Sequence, residues 1–177
     1  MPGSAFYIDG KPPFNQNIAT ATTLTSTMQN PYPLGWSPLL PKFFNYPGKL
    51  LYMRSVGICT SGATPGTLSF ALYWGTGAGN NGTQLVSSGM AWTASAANEA
   101  YILEMWIRCR LTGVSGSLFC YGKLNVTGSG IVHVPAQNPV ATTVDLTQNF
   151  MLSPQFSRSG STAETITPYW LYHQALN

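Results

Sequence analysis

Charge is what this sequence has least of. Charged residues make up 7% of the 177-residue chain, against about a quarter in ordinary soluble domains. Eight Lys/Arg and five Asp/Glu leave a net charge of +3, and the basic residues are scattered along the chain. Counterion release on nucleic acid needs a clustered basic patch, so a nucleic-acid partner is not expected. No apolar run approaches the ~18 residues of a membrane-spanning helix, and a membrane partner is not expected either. No charged n-region precedes an apolar h-region, so no secretory signal is read. The triplets Asn81-Gly82-Thr83 and Asn125-Val126-Thr127 are then chance matches to a glycosylation acceptor.

Chemistry-bearing sets are missing as well. Three cysteines are an odd number and make no disulfide framework. Together with His133 and His173 they offer no zinc spacing. A Gly-x-Ser-x-Gly nucleophile elbow is absent. The Gly75–Gly82 loop lacks the lysine and following helix of a phosphate cradle, and reads as a mobile loop tip. Glu99 and Glu104 are an odd number of residues apart on a strand and point to opposite faces, unlike the convergent carboxylates of a glycosidase. The expectation is a protein that is not an enzyme and carries no cofactor or metal.

What is present is β structure, centred on Glu99–Thr127. Tyr101, Leu103, Met105, Ile107, Cys109 and Leu111 alternate with Ile102, Glu104, Trp106, Arg108 and Arg110, a period of 2 that marks a half-buried strand. Leu118, Cys120, Gly122, Leu124 and Val126 alternate with Phe119, Tyr121, Lys123 and Asn125. Thr112–Ser117 between them has turn composition. Folding the hairpin about the turn's middle sets Cys109 against Cys120, Leu103 against Val126, Trp106 against Lys123 and Arg108 against Tyr121. Cys109 and Cys120 then either bridge or, the favoured reading, pack as buried thiols. Glu104 finds its ion-pair partner in Arg108.

Further strands are expected from Leu50 to Cys59, Leu68 to Trp74, Thr83 to Ser88, Gly130 to Val134, Val140 to Leu146, Phe150 to Ser153 and Thr165 to His173. Eight or nine strands with turns between them and no helical period argue for an all-β antiparallel sandwich. A jelly roll of two four-stranded sheets, BIDG and CHEF, is preferred to an immunoglobulin-like fold.

Residues 1–47 read differently and are taken as an extended N-terminal arm on a β-sandwich domain of residues 48–177. Pro31, Pro33, Pro38, Pro41 and Pro47 prevent a long helix or central strand, and the apolar residues are too sparse to form a core. Such a segment orders on a surface, either a partner's or that of its own domain. Phe6, Tyr7, Phe14 and Trp36 are its expected anchors, and the domain is expected to fold without it. The amphipathic hairpin face, with Trp106, Arg108, Tyr121 and Lys123, is the expected self-association surface. A competing expectation is a carbohydrate-binding module whose aromatic platform uses Trp92, in a loop from Met90 to Ala97, or Trp74.

An extended Pro/Thr-rich arm on a charge-poor jelly roll without a catalytic set resembles the small virion proteins of tailed bacteriophages, above all the head decoration (cement) proteins. The resemblance is one of layout along the whole chain and has no diagnostic motif. It implies a structural protein of the virion, a major capsid or other virion protein as partner, and clustering as a homotrimer. Small-virus coat proteins with basic, genome-neutralising arms are a poorer match, since this arm carries only Lys11 and Lys42.

Overall fold

The alternation seen in the sequence becomes eleven strands in a computed structural model, which describes residues 20–32, 39–41, 43–75, 82–135, 140–160 and 162–176. They are β1 (Thr22–Thr23), β2 (Leu39–Pro41), β3 (Leu50–Thr60), β4 (Thr67–Gly75), β5 (Thr83–Ala91), β6 (Glu99–Leu111), β7 (Gly116–Val126), β8 (Gly130–Val134), β9 (Thr142–Val144), β10 (Asn149–Arg158) and β11 (Thr165–Ala175). Every pairing between them is antiparallel. The protein is an all-β antiparallel sandwich. Instead of two sheets of four, it has a seven-stranded sheet in the order β1-β11-β3-β6-β7-β8, with β9 also on β7, and a four-stranded sheet in the order β2-β10-β4-β5.

The core lies between these sheets. Leu51, Met53, Tyr101, Leu103, Met105 and Ile107 line the larger sheet, and Phe70, Leu72, Phe150, Leu152 and Phe156 the smaller, all at 0% exposure. Each such side chain contributes about 1.5–3 kcal/mol when fully buried. Gly57 makes room for Tyr101: a Cβ there would lie 2.6 Å from the Tyr101 ring.

Pro154 explains why β10 outruns its expected end at Ser153. Phe156 exchanges both backbone bonds with Gln29, so Phe156 and, by the period of 2, Pro154 direct their backbone polar groups away from β4. The N–H that proline lacks is therefore not one that β4 needs, and the ladder runs on to Arg158↔Leu68.

Two expectations are corrected. The segment before residue 48 is not a separate arm where it is described. β1 pairs with β11 and β2 with β10, while Leu24, Tyr32 and Phe44 are buried at 0%, 5% and 1%. Phe44 stacks on Phe150 at 5.7 Å. Arg158 donates from Nε to the Leu24 carbonyl and forms an ion pair with buried Glu164, whose own carbonyl accepts the Leu24 N–H. Isolated apolar residues with no local period thus join the core by running along the edges of both sheets. Phe6, Tyr7, Phe14 and Trp36 lie outside the described residues, as do Lys11, Lys42 and residues 76–81 of the glycine-rich loop.

The hairpin register is also shifted by two residues. Leu103 faces Leu124, Met105 faces Gly122, Ile107 faces Cys120 and Cys109 faces Leu118, and a bulge follows between Cys109 and Leu111. A two-residue shift keeps every side chain on its face, so hydrophobic matching does not distinguish the two registers. Close packing does, because a Cβ on Gly122 would overlap the Glu104 carbonyl oxygen. Cys59, Cys109 and Cys120 are all buried free thiols.

Candidate functional site

The side of the seven-stranded sheet that faces away from the core is lined with rings. Because β11, β3, β6 and β7 are neighbours, outward residues from four separate stretches fall into rows. One row is aromatic: Tyr52 on β3 lies 5.2 Å from Trp106 on β6, and Trp106 lies 5.4 Å from Tyr121 on β7 with the rings only 11° from parallel. Tyr172 flanks Tyr52 at 6.5 Å, and Phe119 flanks Tyr121 at 5.9 Å. Five rings therefore cross the sheet. Tyr121 is 40% exposed, and Ile131, near this edge on β8, is 60% exposed.

The adjacent row is charged. Glu104 accepts a 2.7 Å hydrogen bond from the Tyr52 hydroxyl, forms a 3.0 Å ion pair with Lys123 and lies 3.8 Å from Arg54 Nε. The hydrogen bond from Tyr52, then the neighbouring cations, lower the Glu104 carboxyl below its ordinary range. Burial, and next the same carboxylate, push the Tyr52 phenol up to about 12. The Arg54 guanidinium also lies 5.6 Å from the Trp170 ring centre. These contacts hold the ring-bearing strands in one arrangement with little side-chain freedom left to lose on binding.

The structure brings the four hairpin residues Trp106, Arg108, Tyr121 and Lys123 onto this one face. Their pairing differs from expectation: Trp106 faces Tyr121, Lys123 faces Glu104, and Arg108 faces Phe119. The ion-pair partners of Glu104 are Lys123 and Arg54, and Arg108 is not one of them. Tyr52, Arg54, Trp170 and Tyr172 were missed as members, although β3 and β11 were each legible as strands. Their contribution depends on pairings between strands more than a hundred residues apart, such as Tyr172↔Arg54.

The other aromatic candidates are elsewhere. Trp74 is 5% exposed and stacks on Phe150 at 3.7 Å. Trp92 is 6% exposed, because β5 continues to Ala91 and turns the indole inward. Neither presents a ring face for a sugar, so the expected platform at Trp92 and Trp74 is corrected. Among the described residues, no three His, Cys, Asp or Glu side chains are grouped as metal ligands.

No protein-family model and no curated protein matches this sequence. The outer face must therefore be read from its own chemistry. Tyr, Trp and Phe with a few fixed charges is the composition of the centre of protein–protein interfaces, and large, stiff amphipathic rings are the residues on which their binding energy concentrates.

Proposed function

We propose that the protein is a non-enzymatic structural component of a virion, one that decorates and stabilises a phage capsid by assembling with itself and with the major capsid protein. The observation that carries this reading is the five-ring row on the outer face of the larger sheet, set in a chain with only 7% charged residues. A surface so poor in charge and so rich in rings is suited to being covered by protein. The virion setting and threefold clustering come from the resemblance to decoration proteins, of which the charge-poor β-sandwich remains once the N-terminal segment is placed in the sheets.

The test adds purified protein to expanded capsids that lack it. Saturable binding and a gain in resistance to heat or chelators are expected, and both should fall sharply for Trp106→Ala with Tyr121→Ala. Capsids that neither bind the protein nor gain stability from it overturn the proposal.

A further inference from the structure

The cations of the described residues are few enough to account for one by one. Among the described residues they are Lys49, Arg54, Arg108, Arg110, Lys123 and Arg158. Arg54 and Lys123 serve Glu104, and Arg158 serves Glu164. Lys49 donates to Asn45 Oδ1 and lies against the Phe43 and Tyr46 rings. Arg108 and Arg110 have neither a carboxylate within ion-pair distance nor a hydrogen-bond acceptor among the described residues, and both are exposed.

These two unmatched guanidinium groups line the same cleft. It has a volume of about 450 Å³ and is walled by Pro47, Gly48, Arg108, Cys109, Arg110 and Phe119. Local structure assembles it. Arg108 and Arg110 are two residues apart on β6 and so lie toward one side of the strand, with the bulge between Cys109 and Leu111 carrying Arg110 out of the ladder. The Pro47–Gly48 turn is fastened against β6 by the Gly48 N–H on the Cys109 carbonyl at 2.8 Å. Phe119 supplies an aromatic wall opposite Arg108. Two planar forks beside an apolar wall, with no acid among the described residues to satisfy them, match an oxyanion joined to an apolar stem.

We infer that this cleft is a binding site for side-chain carboxylates on an acidic segment of a partner protein, held by Arg108 and Arg110. The cleft opens at the hairpin-tip end of the ring-bearing face, which favours an anion delivered by a partner that covers the face over one taken from solution. The inference rests on the proposed function only for that source.

The test titrates full-length protein with a tri-glutamate peptide and, separately, with inorganic phosphate, following backbone and arginine Nε–H resonances. Peptide binding is expected to shift Arg108, Arg110 and Phe119, to weaken with salt, and to lose about tenfold in affinity in Arg108→Gln with Arg110→Gln. Both side chains are exposed, and an unchanged spectrum elsewhere verifies the fold of the variant. Peptide binding undiminished in that variant, phosphate binding without peptide binding, or no binding of either probe overturns the inference. Light scattering and capsid binding of the wild type are read in parallel. A protein that assembles but ignores the peptide removes this inference and leaves the assembly proposal standing.

Discussion

The Tyr32 hydroxyl donates a 2.8 Å hydrogen bond to Ser55 Oγ, which in turn lies 3.2 Å from the Tyr101 hydroxyl and donates to the Trp170 carbonyl at 3.0 Å. Four segments of the chain meet at one buried serine. Burial pushes the Tyr32 phenol up to about 12 and the Tyr101 phenol well above its ordinary value, so both stay protonated.

This cluster argues against the expectation that the domain folds without its first 47 residues. A chain beginning near Tyr46 loses Leu24, Tyr32 and Phe44 from the core. Large core side chains cost about 2–5 kcal/mol each when cut back, against a typical total of about 5–15 kcal/mol. The shortened chain is expected to be unfolded or to melt far below the full-length protein by circular dichroism. Equal melting temperatures would show that the N-terminal segment is dispensable. Tyr32→Phe, which removes only the hydroxyl, should cost about 1 kcal/mol.

Trp106→Ala removes the middle ring of the aromatic row. If that row is an assembly interface, the change should weaken association by more than about 2 kcal/mol while the melting temperature of the dissociated protein moves little. Light scattering over a concentration series reads the first quantity and calorimetry the second. A wild type that is monomeric in isolation and fails to bind capsids would remove the row's proposed role.

His173 gives the protein a predicted loss of stability toward acid. The residue is half-buried, but its Nε2 is sealed from solvent without a partner among the described residues, and burial lowers the imidazole from 6.5 to about 4. The unfolded chain therefore binds the proton first as pH falls. The stability His173 contributes is whole above pH 6.5 and disappears as pH drops toward 4, a loss on the order of 2–3 kcal/mol. Urea denaturation between those limits should show the slope, and His173→Leu should flatten it. A slope unchanged in that variant would exclude His173 as its source.

Glu104→Gln leaves the carbon skeleton in place and removes the charge shared by Tyr52, Lys123 and Arg54. Its folded carboxyl lies below the ordinary 4.5, so its contribution is present above that pH and lost as pH falls through the lowered value. Lys123 is 44% exposed, and solvent screening limits the neutral-pH cost to about 1 kcal/mol. The Tyr52 phenol, held up to about 12 chiefly by burial, should come only part of the way back toward 10. Ultraviolet titration measures that movement, and a phenol unmoved by the substitution would contradict the assigned hydrogen bond.

Gly122→Ala tests the register. A Cβ here would overlap the Glu104 carbonyl oxygen and lie 2.5 Å from Met105 Sδ, so β6 and β7 must separate or slip. A loss of about 2 kcal/mol or more is expected in chemical denaturation. The register anticipated from the turn alone sets Ile107 opposite Gly122, and full stability of the variant would reopen that alternative.

Alternation by itself determined that this chain forms strands and which face the residues of β6 from Tyr101 to Cys109 and of β7 from Leu118 to Val126 occupy, while Leu111, read with the core face, is 60% exposed beyond the bulge. Polarity repeating every second residue is a local property, and any antiparallel partner must respect it. The inward set from Tyr101 to Cys109 and the outward set holding Glu104, Trp106 and Arg108 were legible for that reason. Local pattern is blind to a two-residue slip, so the choice of Met105 over Ile107 opposite Gly122 came only from close contact across the hairpin. It is equally blind to which distant strands become neighbours, which is why Trp106 was read without Tyr52 and Tyr172 beside it. Leu24, Tyr32 and Phe44 mark the same boundary. No periodicity surrounds them, and they are core residues only because the assembled sheets leave apolar edges that these side chains cover.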